Sequence, residues 1–215
     1  MGSRGADEDL SGDARRQSQA APEHRVRPEA RRASRRRVAG SRRRPEVLEV
    51  PVRGAVKHVL MVCHANTARS VMAQLMLERM LVERGANGAI RVSSGGIANY
   101  ARDGMIASLD ARLALRDEGI HLGEADFAST DLRRHRHLLA QADLILTMTA
   151  LQKQMLGAYA ETSDRLVFTL REFSGEDGDI EDPATQGEDV FRACRDEIKR
   201  CLEKSMGRLL AILSG

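Results

Sequence analysis

The stretch VLMVCHANTARSVMAQ, residues 59–74, joins an apolar run to an amphipathic one through a short polar loop. Extended back to residue 56, VKHVLMVC is short, apolar and rich in β-branched residues, the pattern of a strand buried on both faces. After Ser70 the spacing turns helical: Met72, Leu75, Met76 and Met80 recur on one side, and the segment closes near Gly85. A buried strand that passes through HANTA (64–68) directly into a helix begins an α/β fold.

Outward from this unit the alternation continues. IRVSS (90–94) reads as a second strand with Gly95 and Gly96 as its turn, and ASLDARLALRDEG (107–119) as a helix stopped by Gly119. ADLILTMT (142–149) and DRLVFTL (164–170) read as two more buried strands, with the helical LQKQMLGAY (151–159) between them. From Glu188 a long amphipathic helix is expected to carry Val190, Cys194, Ile198, Cys201, Leu202 and Leu209 on one side. Elements alternating at these lengths predict one α/β domain over residues 55–215. It is a doubly wound, four-stranded parallel sheet with helices on both faces.

A chain of 215 residues suits one such domain and a tail. Hydrophobic residues make up 42% and aromatic ones 3%, so the core is mainly Leu, Val, Ile, Ala and Met. The formal charge of +3 hides a division: residues 1–44 carry 13 Arg against 6 acidic residues, and the remainder 21 basic against 25 acidic. Residues 1–50 have almost no large apolar side chains and are expected to be disordered, because they bury too little surface to offset the entropy of ordering. RRASRRR (31–37) and SRRRPE (41–46) offer positive charge to a nucleic acid or another acidic surface. No aromatics are interleaved to stack on bases, so a solvated extension, or a tail made by too early a start codon, is the plainer reading.

Three cysteines with no CxxC spacing argue against a disulfide framework or a zinc site, and for a reducing compartment. No apolar run reaches the roughly 18 residues of a membrane helix, and no apolar signal segment opens the chain. In MGSRGA, Ala6 occupies the position that myristoylation requires to be Ser or Thr. A soluble cytoplasmic protein is expected.

In doubly wound sheets, ligands bind beyond the carboxyl ends of the strands, and Cys63 stands at such an end. A buried cysteine can be just a small hydrophobe, but its neighbours suggest chemistry. HANTA can curl to point several backbone N–H groups inward, and the helix beginning near Ser70 adds its positive end, which makes an anion cradle. The same field favours a thiolate. Arg69 offers a planar fork that clasps two phosphoryl oxygens at once. Nucleophile, donor ring and guanidinium within eight residues make a site for attack by sulfur on a tetrahedral oxyanion.

The run Cys63-x5-Arg69-Ser70 directly after VLMV resembles the signature of the low-molecular-weight protein phosphatases, the small cysteine-dependent phosphotyrosine phosphatases. Asn66 within the loop, SSGG (93–96) in place of the family's Ser-Ala-Gly, ADLILTMT as its third strand and DIEDP (179–183) as its Asp-Pro strengthen the likeness. It spans roughly residues 56–212. The resemblance implies Cys63 as a nucleophile that forms a phosphocysteine, and Arg69 with the loop residues His64, Ala65, Asn66, Thr67 and Ala68 as the phosphate cradle. It also implies Ser70 bonded to the thiolate, Asn66 fixing the loop, and Asp182 as general acid and then base, on a loop stiffened by Pro183. Phosphorylated proteins are the implied substrates, and no metal or cofactor is required. Thr67 matches the threonine that marks the bacterial protein-arginine phosphatases, where tyrosine enzymes tend to carry a larger apolar residue. The expected reaction is hydrolysis of phosphotyrosine or phosphoarginine, with Thr67 leaning to phosphoarginine.

The chain departs from the family pattern in several places. Ala65 replaces the usual loop glycine and strains the turn if a positive φ is needed there. Val71 replaces the proline after the serine, and Ala68 a second loop cysteine that protects the nucleophile as a disulfide. Ala184 replaces the aromatic wall after Asp-Pro, a gap for Tyr100 to fill, and no histidine is evident to buttress Asn66. Two other readings stand beside the phosphatase. A thiol-linked arsenate reductase needs extra cysteines in a mobile segment, whereas Cys194 and Cys201 read as core residues of a helix. A phosphate-binding regulatory protein needs neither thiol nor acid. Asp182 within GEDGDIED can also be read as part of a solvated acidic loop, and His121, His135 and His137 need no role beyond surface or packing.

Overall fold

In the computed structural model, residues 56–213 are described, and the Arg-rich stretch expected to be disordered lies outside them. β1 (Lys57–Cys63) is buried from Val59 onward, and its side chains alternate between two apolar clusters. Val59, Met61 and Cys63 enter one cluster, and Leu60 and Val62 the other. β3 (Leu144–Thr147) is buried throughout, as β1's partner at the middle of a parallel sheet. β2 (Ile90–Gly96) and β4 (Leu166–Thr169) flank them in the order β2-β1-β3-β4, all parallel. The chain therefore winds one way from β1 to β2 and the other way to β3, and the reversal lies at the carboxyl end of β1.

Among the described residues six α-helices cover the two faces. α1 (Arg69–Glu83) buries Met72, Met76, Leu77 and Met80 in the larger cluster, where it meets α6 (Glu188–Leu213). α2 (Leu109–Asp117) packs against α6 on the same side, as does the short α5 (Leu170–Phe173). α3 (His137–Gln141) and α4 (Ala150–Leu156) bring Leu139 and Leu156 to the smaller cluster on the opposite face. The expected architecture of four parallel strands with helices on both faces is the one observed.

Several expectations needed correction. Gly95 and Gly96 do not turn: they extend β2 and pair with Val62 and Cys63. The fourth strand stops at Thr169, whose hydroxyl accepts from the Glu172 amide while the Glu172 carboxylate accepts from the Thr169 amide, so a capping box starts α5 there. On α6 the core stripe runs through Phe191, Cys194, Ile198, Cys201 and Leu202, whereas Val190 lies one residue out of phase and is exposed. α3 carried too little apolar periodicity to be seen.

Candidate active site

Cys63 ends β1 with 3% of its surface exposed, and the loop after it is bonded outward through its carbonyls. The amide of Ile97 donates to the Cys63 carbonyl (3.1 Å), Ala98 to His64 (3.0 Å) and Ser108 to Thr67 (2.8 Å). With those carbonyls turned toward β2 and the segment that follows it, the loop can present amides to the cleft. Gly96 makes this closeness possible: a Cβ there would lie 2.8 Å from the His64 oxygen and from the Ala65 carbonyl carbon.

Asn66 takes the left-handed conformation at the turn, with φ of 60°. Ala65 does not, so the strain expected of an alanine in place of the family glycine is absent. Asparagine tolerates that region better than most residues, and its side chain, fully buried, fixes the loop on three sides. Nδ2 donates to the Ser70 hydroxyl (3.0 Å) and the Ser94 hydroxyl (2.8 Å), while Oδ1 accepts from the Thr130 amide (2.9 Å). Ser94 in turn donates to Gln74 (2.6 Å). This network of serines and a glutamine supports Asn66 where no histidine was found. The same asparagine sends its amide to Cys63 Sγ (3.2 Å), and the Ser70 hydroxyl lies 2.9 Å from that sulfur. Two polar groups thus meet the thiol from within the protein.

Arg69 opens α1 and is 2% exposed. Its guanidinium donates to the Ile180 carbonyl (2.9 Å) and forms an ion pair with Asp182, whose side chain remains 45% exposed. The segment bearing Asp182 is thereby tied to the first helix, and the ion pair counts against reading Asp182 as part of a solvated acidic loop. Beside it His64, half-buried, has its pKa held below the usual value, first by burial and then by Arg69, with Asp182 opposing.

Around the thiol is a cleft of about 180 Å3. Of the residues expected to form the site, Cys63, His64, Ala65, Thr67, Ala68, Arg69 and Asp182 line it, whereas Asn66 and Ser70 are buried behind it. Tyr100 stands on the wall with its ring 6.4 Å from that of His64, in a cleft that Ala184 also lines. Sequence reasoning missed Ser108 and Phe191, which complete the lining. Ser108 had a legible signal, a serine before the apolar face of a helix; its hydroxyl accepts from the Ala111 amide as the N-cap of α2.

Cys194 and Cys201 are free, buried and within α6, in keeping with core residues. Burial pushes the Cys194 thiol up to about 12 and Cys201 upward as well. Two larger cavities, of roughly 390 and 510 Å3, lie around Val56 and Arg91 at the amino ends of β1 and β2, away from the thiol. Among the described residues no cluster of three His, Cys, Asp or Glu side chains suits a metal ion, and no helix is long and apolar enough to cross a membrane.

A thiol at the mouth of an amide loop, on the switch point of a parallel sheet, is the frame of the cysteine-dependent phosphatases. Residues 58–212 match the model of the low molecular weight phosphotyrosine protein phosphatases, and the chain belongs to that family of protein phosphatases. It is 35% identical over 153 residues to a protein-arginine-phosphatase of Geobacillus stearothermophilus, covering 70% of this chain and 95% of that one. It is 30% identical over 136 residues to the low molecular weight protein-tyrosine-phosphatase PtpB of Staphylococcus haemolyticus, covering 62% and 86%. A solved structure of the YwlE arginine phosphatase, a cysteine-to-serine mutant with a phosphorylated active-site serine, superposes with a TM-score of 0.63 at 30% identity, covering 72% of this chain and 95% of that one.

Proposed function

We propose that this phosphatase hydrolyses phosphoarginine or phosphotyrosine on proteins through a phosphocysteine at Cys63, with Thr67 favouring phosphoarginine. The observation that carries the proposal is the thiol held by Ser70 and Asn66 in the cleft that Arg69 and Asp182 also line. In the first step Sγ attacks phosphorus, an S–P bond forms, and the bond to the leaving oxygen or nitrogen breaks. Asp182 gives its proton to that leaving atom. Arg69 and the loop amides hold the equatorial oxygens as charge builds on them. In the second step water gives a proton to Asp182 and attacks phosphorus, and the sulfur departs with the S–P electron pair. The name borne by the Geobacillus relative supports the arginine reading, as does the position of Thr67 in the cleft lining. A hydroxyl of that size leaves room for a guanidinium and can hydrogen-bond to it.

The test is a paired assay on phosphoarginine and phosphotyrosine peptides, comparing wild type with Thr67→Ile, and with Cys63→Ser and Asp182→Ala as controls. Wild type is expected to prefer phosphoarginine and Thr67→Ile to shift toward phosphotyrosine. The Cys63→Ser protein should show no turnover, and Asp182→Ala a loss of about 100-fold or more, the usual share of a general acid. Full activity in either control would overturn the mechanism, and identical preferences in wild type and Thr67→Ile would remove the Thr67 assignment.

A further inference from the structure

Ser108 lines the cleft and caps α2, and the next residue, Leu109, borders a second cavity of about 270 Å3. Consecutive Cα atoms lie about 3.8 Å apart, so the linings of the cleft and of this groove adjoin at Ser108 and Leu109. Leu109, Leu113 and Leu122 supply its apolar wall, and Arg112, Arg116 and His121 stand among them. Leu109 is 62% exposed, and the loop just before it exposes Met105 and Ile106 to about half their surface. Large apolar side chains gathered on a surface mark a place where another molecule sits. Arg112 is engaged by the Leu122 carbonyl and Glu124, whereas Arg116 and His121 are in no salt bridge among the described residues, Arg116 acting at longer range on the neighbouring Asp117.

We propose that this groove along α2 holds the stretch of substrate protein next to the phosphorylated residue, and selects an apolar side chain accompanied by an acidic one. The proposal rests on the reading of the cleft as a phosphatase site. Leu109, Leu113 and Leu122 remove the apolar side chain from water, and Arg116 and His121 meet the acidic one.

The experiment uses phosphoarginine and phosphotyrosine peptides in three versions, flanked by Leu and Glu, by Leu and Lys, or by Gly and Ser. Affinity is read by fluorescence anisotropy on Cys63→Ser protein, and turnover on protein with Cys63 intact, each alone and with Leu109→Lys or Arg116→Glu. The Leu–Glu peptide is expected to bind about tenfold more tightly than the Gly–Ser one, the share of one apolar side chain leaving water. Leu109→Lys should erase that gap, and Arg116→Glu should move the preference to the Leu–Lys peptide. Equal affinity for the three peptides, or a Leu–Glu preference that survives both substitutions, overturns the proposal. Selective binding without turnover keeps the groove and removes the phosphatase reading; turnover without selectivity does the reverse, and no binding at all removes both. A dimer in sedimentation that Leu109→Lys dissolves would give this face to a second copy of the chain and overturn the proposal.

Discussion

Asn66 combines a backbone conformation that few residues adopt with a side chain that bonds to two hydroxyls and a backbone amide. The two contributions can be separated. Asn66→Ala is expected to cost about 1–3 kcal/mol from polar groups left without a partner, with a further 1–2 kcal/mol for the left-handed turn. Asn66→Gly should recover the second part alone, as read from urea unfolding midpoints, while both variants lose kcat/KM. Equal stability of the two would show that the turn carries no strain. Cys63, Arg69 and Asp182 were legible in the sequence because each is a chemically distinctive residue at a fixed offset from a strand end or a proline. Ser94, Gln74 and Phe191 were not, because they reach the site through folding from positions that look like ordinary strand or helix residues. Tyr100 was legible only as an unplaced aromatic, since nothing local to it fixes the path of the loop.

β2 illustrates how a pair of glycines can be misread. A double glycine after IRVSS signals a turn locally, yet both residues extend the strand and pair with Val62 and Cys63, where a side chain would meet Leu132 or the loop after β1. At Gly95 a Cβ would collide with the buried Leu132 side chain, and at Gly96 it would meet backbone. Gly96→Ala is therefore expected to destabilise by about 1–3 kcal/mol, the range of overpacking in a tight site, and to lower kcat/KM by displacing His64 and Ala65. Gly85→Ala, where a Cβ meets nothing within 4 Å, is the comparison: it strains the φ of 67° without touching the cleft and should leave catalysis unchanged. An unaltered kcat/KM in Gly96→Ala would remove the close approach as a requirement. Long elements with clean periodicity, β1, α1, β3 and α6, were legible in the sequence; the one-residue error at Val190 arose because helical spacing fixes a stripe only to within its neighbours. The capping box at Thr169 was visible as Thr-x-x-Glu, but its overlap with an apolar run hid it.

Stability of the whole protein should carry a signature of two histidines. His58, at the start of β1, and His64, just past its end, both have pKa values held below 6.5. Burial is the main cause, Arg91 and Arg69 respectively act in the same direction, and Asp143 and Asp182 oppose. As pH falls through 6.5 the unfolded chain takes up these protons before the folded one does, so their effect is absent above that value and destabilising below it. Carboxylates held low, such as Asp131 beside Arg133 and Glu172 beside Lys153, add stability above the usual carboxylate range and lose it at lower pH. Replacing both histidines by Gln should flatten the decline in urea midpoint between pH 6.5 and about 5; an unchanged slope would contradict the assignment. The ion pair between Arg69 and Asp182 joins positions 113 residues apart, and Ile180 shares the same guanidinium. The chain's own carboxylate therefore engages the fork that the proposed mechanism gives to the phosphoryl oxygens. In the proposed mechanism a departing phosphate competes for Arg69 with a rival that never diffuses away, so the contact would oppose rebinding of the product.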